Sequence, residues 1–359
     1  MFGLPNVGKS TLFNALTCTQ AAQAANYPFC TIEPNVGQVD VPDERLQTLG
    51  KLASSRQIIP TRVDFVDIAG LVKGAAKGEG LGNQFLGHIR EVHAICHVVR
   101  CFENGSVTHV ENRIDPIDDA MIVETELLLA DLESLQKRVL PLQKKARGGD
   151  SQAKETLELI ESLIPILEAG KPVHASDKNF DPELLKSLQL LTSKPFLLVC
   201  NMDEDSFSKG NEYSRQVEAF GAERKMPVLK ISAHIESELS ALEDKSERVE
   251  MLQALNIETS GLDLLIRAGY DLLGLITFFT AGEKETRAWA IPKGISARDC
   301  AGVIHTDFMR GFIAADVIAY EDYVESGGEQ AARAKGKGRL EGRDYIVSDG
   351  DVIHFRFNV

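Results

Sequence analysis

The chain has 359 residues, 43 % of them hydrophobic and 26 % charged, with a formal net charge of −14. This balance excludes a disordered chain, no apolar run reaches the roughly 18 residues of a membrane span, and the acidic excess excludes whole-surface binding to nucleic acid, leaving only a local basic patch for such a contact. Two or three domains are expected from the length; with no secretory pattern at Met1-Phe2-Gly3-Leu4-Pro5 and no CxxC among Cys18, Cys30, Cys96, Cys101, Cys200 and Cys300, the expectation is a cytoplasmic protein with reduced thiols.

Gly3 to Ser10 (GLPNVGKS) reads G-x-x-x-x-G-K-S and continues into helix-forming sequence from Thr11. In such a loop backbone N–H groups and the helix N-terminus hold phosphates, Lys9 reaches the outer phosphates and the Ser10 hydroxyl ligates magnesium. A phosphate loop ordinarily follows a buried strand, yet only Met1 and Phe2 precede Gly3. The expectation is therefore a start that lacks its first strand, with neighbouring sheet edges exposed and nucleotide affinity in question.

Thr61 to Ile68 (TRVDFVDI) and Ala94 to Phe102 (AICHVVRCF) read as buried strands. Asp67-Ile68-Ala69-Gly70 follows the first, where a D-x-x-G loop sets its aspartate near the magnesium shell and the Gly70 N–H at the γ-phosphate. Thr31 lies between these elements as a candidate switch threonine. Leu71 stands where a water-orienting glutamine often follows; an apolar side chain cannot orient water, so hydrolysis without a partner is expected to be slow. His109, in a loop after the second strand, is a candidate to approach the γ-phosphate. His93, Cys96, His97 and Cys101 do not make a zinc site, because strand alternation sends Cys96 and His97 to opposite faces.

From Asp118 the texture becomes helical. Met121, Thr125, Leu128, Leu132, Leu135, Val139 and Leu142 form one heptad stripe, and Ala153, Leu157, Ile160, Ile164 and Leu167 a second, joined at Gly148-Gly149. The pattern predicts an antiparallel hairpin, with kinks or breaks at Pro141 and Pro165.

The α/β texture resumes with Pro195 to Cys200 and Pro227 to Ser232. Asn201-Met202-Asp203-Glu204 ends the first run and Ser232-Ala233 the second, completing a set of nucleotide-site elements in order. Guanine recognition through N-K-x-D uses an aspartate with two acceptors and a lysine stem over the ring. Met202 and Glu204 replace both, so guanine preference is expected to be lost.

Beyond Leu275, Arg287–Ile291, Phe312–Tyr320, residues 345–347 and Val352–Val359 read as strands, with a helix from Ala297 capped by Ser296 and Asp299. In the last strand Ile353, Phe355, Phe357 and Val359 share one face. Two basic clusters stand out on the acidic chain: Arg333, Lys335, Lys337, Arg339 and Arg343, and Lys137, Arg138, Lys144, Lys145 and Arg147 near the hairpin tip. Both suit phosphate backbones.

The run Asp67 to Phe85 (DIAGLVKGAAKGEGLGNQF), with Asn26 to Asn35 (NYPFCTIEPN), resembles the glycine-rich switches of the YchF, or Obg-like ATPase, family almost residue for residue, and the likeness extends over essentially the whole chain. The resemblance implies an α/β P-loop NTPase (G) domain at 1–115 and 190–276, an inserted antiparallel helical hairpin at 116–189, and a C-terminal β-grasp (TGS) α+β domain at 277–359. It implies Asn6, Val7, Gly8, Lys9, Ser10 and Thr11 as the phosphate loop, Ser10 and Thr31 as magnesium ligands with Asp67 near that shell, and Asn201, Met202, Glu204, Ser232 and Ala233 around the base.

Lys9, Gly70 and His109 are the candidate catalytic groups, and Asn6 is a candidate potassium ligand. The expected activity is Mg2+-dependent hydrolysis of ATP in preference to GTP by a monomer that associates with ribosomes, through ribosomal RNA and proteins, and not with membranes. A GTPase switch, a nucleotide-gated RNA-binding module with incidental hydrolysis, and a small-metabolite kinase are the alternatives; the kinase is disfavoured because D-x-x-G and N-x-x-E have no role in it.

Overall fold

The computed structural model describes residues 1–21, 35–68, 81–103, 114–242 and 244–358. Thr31, Gly70, Leu71, His109 and Val359 lie outside the described residues. In chain order come α1 (Lys9–Ala21), β1 (Asn35–Asp40), α2 (Glu44–Leu52), β2 (Gln57–Ile59), β3 (Arg62–Asp67), α3 (Leu81–Glu91) and β4 (Ile95–Arg100). They are followed by α4 (Pro116–Arg147), α5 (Ser151–Glu168), α6 (Pro182–Leu188), β5 (Phe196–Asn201), α7 (Glu204–Phe207), α8 (Glu212–Glu223), β6 (Val228–Ile231), α9 (Ala233–Ala241), α10 (Lys245–Ala254) and α11 (Gly261–Leu272). The remainder holds β7 (Leu275–Ala281), β8 (Glu285–Pro292), α12 (Ala297–Ile304), α13 (Thr306–Arg310), β9 (Phe312–Ala319), α14 (Tyr320–Ser326), α15 (Glu329–Ala334), β10 (Arg339–Glu341) and β11 (Asp351–Phe357). Among the described residues no helix is long and apolar enough to cross a membrane.

The chain divides into two compact units, Met1–Gly37 with Phe65–Leu265, and Gln38–Asp64 with Ile266–Val359. In the first, β4, β5 and β6 form a parallel sheet. Every residue of β4 and β5 is buried, as expected where both faces of a parallel sheet are covered. The two residues before the phosphate loop sit beside β4. Phe2 N donates to Cys96 O at 3.0 Å and Phe2 O accepts from Val98 N at 2.8 Å. On their other side Met1 N donates to Val66 O at 2.7 Å, and Met1 O accepts from Ile68 N at 3.0 Å.

The edges expected to be exposed are thus met by Met1 and Phe2, because one extended dipeptide can bond a neighbour on each side. Phe2 is 1 % exposed and stacks on His97 with ring centroids 4.7 Å apart. Burial pushes the His97 imidazole down to about 3, so it is neutral.

The helical pair packs through Leu128, Leu135, Leu159, Ile160, Leu163 and Leu167. Leu128, Leu135, Ile160 and Leu167 lie on the predicted stripes, whereas Leu159 and Leu163 lie off the second stripe and Leu157, expected on it, is only half-buried. Met121 and Thr125, expected in the first stripe, are exposed. The first turns of α4 bury Ala120, Val123 and Leu127 instead, because there the helix faces β4 and α8 rather than α5. Neither proline divides its helix, contrary to the expected breaks. Each removes one N–H within the last two turns, where few bonds remain to lose. Asp150 caps α5 by accepting Ala153 N at 3.0 Å. Asp131 of α4 is buried and ties down the approach to β5, accepting Leu191 N at 2.9 Å, Thr192 N at 2.8 Å and Thr192 Oγ1 at 2.8 Å.

The second unit is a mixed sheet in the order β10-β9-β11-β7-β8-β2. Phe278, Ile291, Ala315, Val317, Ile353 and Phe355 bury one face against Ala297, Cys300 and Ala301 of α12. Ser296 caps that helix as predicted, its Oγ donating to Asp299 Oδ2 at 2.7 Å. On the other face Phe279, Ala288, Ile318 and Val352 meet Leu46 and Leu49 of α2 with Tyr323 and Ala332. Residues 38–64, expected in the nucleotide-binding domain, therefore belong to this unit. Burial of that apolar pair and the parallel pairing of β2 with β8 hold them there.

Residues 345–347 form no strand; Ile346 makes a single bridge to Ser296. Phe357 is 39 % exposed, beyond a register shift at Arg356/Phe357. The C-terminal basic cluster is partly neutralised within its own unit. Arg333 pairs with Glu329 at 2.8 Å and Asp316 at 3.3 Å, Lys337 with Asp322 at 2.8 Å, and Arg339 with Asp351 at 3.6 Å. Lys144, Lys145 and Arg147, by contrast, are exposed in the last turn of α4.

Candidate functional site

Asp67 ends β3, Asn201 ends β5, Ser232 follows β6 and the phosphate loop follows Phe2, so the elements gather at the carboxyl edge of the parallel sheet, where open α/β sheets hold ligands. The loop is shaped by close approaches. A Cβ on Gly3 would stand 2.5 Å from Val98 O, and one on Gly8, at φ +93°, would stand 2.1 Å from Asn201 Nδ2. Only glycine fits at either position. Asn6 occupies the left-handed region at φ 64°. Val7 is buried, whereas Asn6, Ser10 and Thr11 face solvent, and α1 starts at Lys9.

Asn201 joins two of these loops. Its Nδ2 donates to Val7 O at 2.8 Å and its Oδ1 accepts from Ala233 N at 2.9 Å. The amide expected at the base thus also positions the phosphate loop against Ser232-Ala233, keeping one N–H and one acceptor site beyond these two bonds. Met202, expected where a lysine stem would cover the base, is 2 % exposed, and its N–H donates to Ile231 O at 2.8 Å. Asp203 caps α7 by accepting Ser206 N at 2.7 Å. Glu204 is half exposed and its Oε1 lies 2.5 Å from His234 Nδ1. Ser232 Oγ is buried with no hydrogen-bond partner among the described residues.

Lys9 Nζ forms a direct ion pair with Asp67, both side chains being mostly buried. The phosphate-loop cation and the D-x-x-G carboxylate are therefore side by side. His234 was not singled out in the sequence, although its place directly after Ser-Ala is the signal that could have found it.

Glu236, two residues on, fixes α9 to α11. Its Oε1 accepts Gly261 N at 2.7 Å. Burial pushes its carboxyl from 4.5 up to about 7, against the opposing pull of the Gly261 and Leu262 N–H groups. Between those values the folded chain holds a proton that the unfolded chain has lost, so this group's contribution is full below pH 4.5 and falls as pH rises to about 7. The expected slope is up to about 1.4 kcal/mol per pH unit. Glu236→Gln keeps an acceptor for Gly261 and should flatten it; urea midpoints measured across that window check this, and an unaltered slope would contradict it.

Two family models match the chain: MMR_HSR1, described as 50S ribosome-binding GTPase, over residues 1–128, and YchF-GTPase_C, described as Protein of unknown function (DUF933), over residues 275–358. The "Ribosome-binding ATPase YchF" of Haemophilus influenzae is 54 % identical over 359 residues, covering 99 % of this chain and 98 % of the relative. That of Bacillus subtilis is 51 % identical over 360 residues with the same coverage. The solved structure of the Schizosaccharomyces pombe YchF GTPase superposes with a TM-score of 0.86 at 37 % identity, covering 99 % of this chain and 96 % of that one.

Proposed function

Because the chain belongs to the YchF family, we propose that it is a ribosome-associated P-loop ATPase of the cytoplasm, a nucleotide-dependent switch that hydrolyses ATP in preference to GTP. The observation that carries the base preference is the loop at 201–204. Met202 is buried and Glu204 is engaged by His234, so neither the covering stem nor the paired acceptors that guanine recognition needs are on offer. Association with the ribosome rests on the relatives named as ribosome-binding and on the exposed cations at the hairpin tip. The GTPase reading is the alternative, favoured by the S. pombe relative being described as a GTPase.

In the proposed reaction water attacks the γ-phosphorus, the bond to the β–γ bridging oxygen breaks, and ADP and phosphate leave. Lys9 would exchange its Asp67 partner for the outer phosphates, carrying positive charge to where negative charge develops. The hydroxyl of Ser10 and the carboxylate of Asp67 make a hard-oxygen donor set that suits Mg2+, with Thr31 as the further expected ligand. Bound there, the ion would neutralise charge on the β- and γ-phosphates. Asn6 is the proposed potassium ligand. Gly70 N–H and His109 are assigned to the γ-phosphate, and Leu71 is unable to orient the attacking water.

Parallel calorimetric titrations test the base preference. ATP is expected to bind at least as tightly as GTP; GTP tighter by tenfold, about 1.4 kcal/mol, would overturn the ATPase reading.

A further inference from the structure

We propose that His234 is a specificity-positioning residue, which engages one oxygen of Glu204 and so leaves the base site a single unshared carboxylate oxygen. The inference rests on the reading above, in which Glu204 faces the base. Loops 201–204 and 231–234 are tied at three points: Met202 N to Ile231 O at 2.8 Å, Ala233 N to Asn201 Oδ1 at 2.9 Å, and His234 Nδ1 to Glu204 Oε1 at 2.5 Å. The first two ties fix the backbone. The third fixes which carboxylate oxygen remains for a ligand.

Guanine presents two adjacent donors on one edge, N1–H and the 2-amino group, and a carboxylate meets them best with both oxygens. Adenine presents one donor group there, its 6-amino group, and needs one oxygen. A carboxylate whose Oε1 already accepts from His234 offers adenine its unshared Oε2, whereas guanine's second donor must share Oε1 with the imidazole and is met less well. Glu238 Oε1 lies 3.8 Å from the same His234 nitrogen, so the imidazole is held between two acidic side chains. His234 is 67 % exposed, so its replacement should leave the fold intact.

The test compares calorimetric affinities for non-hydrolysable ATP and GTP analogues with Mg2+ in the unaltered protein, His234→Ala, His234→Gln and Glu204→Ala. His234→Ala frees Oε1 and should tighten GTP-analogue binding at least fivefold while ATP-analogue binding changes less than twofold. His234→Gln retains a side-chain N–H donor and should keep the original ratio. An unchanged ratio in His234→Ala, equal shifts for both analogues, or the same shift in His234→Gln would overturn the proposal. Glu204→Ala separates the two levels: if it alters the ratio while His234→Ala does not, only the role of His234 falls, and if it leaves both affinities unchanged, Glu204 does not read the base and the reading above falls with it.

Discussion

Replacing Asn201 with aspartate is expected to weaken nucleotide binding by roughly 30- to 1000-fold, about 2–4 kcal/mol. The change alters one atom. One oxygen can still accept Ala233 N, but the other then faces Val7 O across the 2.8 Å now spanned by an N–H···O bond. Both groups are buried, so water cannot relieve the repulsion. The part of the chain that must yield is the Val7-Gly8 loop, which also has to hold the phosphates. Asn201→Ala leaves the two chain groups merely unmet, and its effect should be smaller. Calorimetry with an ATP analogue, alongside urea unfolding to show that the variants are folded, gives the answer; aspartate binding within threefold of the unaltered protein would show that the tether does not shape the loop.

Asp131→Ala should destabilise the protein by about 3–5 kcal/mol. Burial pushes this carboxyl's pKa up, while three donors from Leu191 and Thr192 pull the other way. Removing it leaves two backbone N–H groups and a hydroxyl without acceptors in the interior. Asparagine is no remedy, since its amide would turn a donor toward donors. The loss should appear as a lower urea midpoint and as faster amide exchange at Leu191 and Thr192. Exchange no faster than in the unaltered protein would mean that the segment is held by packing alone.

The legible parts of the fold are those whose cause is local. Strands β4 and β5 are runs of apolar residues closed by polar ones, and α12 begins at a cap written in Ser296 and Asp299. The glycine-rich loop is legible because Gly3 and Gly8 are required by backbone approach. What was not legible depends on distant partners. The three residues of β2, Gln57-Ile58-Ile59, are too short a run to mark a strand and are ordered by pairing with β8. Met121 and Thr125 keep the heptad spacing, but the helix they belong to turns its buried face from one neighbour to another. For Asn201 the motif signals a site residue without saying which loops its amide joins, and the tether to Val7 and Ala233 depends on chain segments far away in sequence. The C-terminal cations looked free because their carboxylate partners Asp316, Asp322 and Asp351 are scattered along the sequence.

The assignment of residues 38–64 to the same unit as residues 266–359 has a consequence for synthesis. During translation α2 leaves the ribosome about 220–230 residues ahead of β7 and β8. At about 5–20 residues per second its wait is on the order of 10–40 s. For that interval Leu46 and Leu49 have no Phe279 or Ala288 to bury against, and this apolar face is open to chaperones or to another nascent chain. The second unit cannot close until β11, which pairs with both β7 and β9, has emerged, so α2 waits on the most distant strand it shares a core with among the described residues.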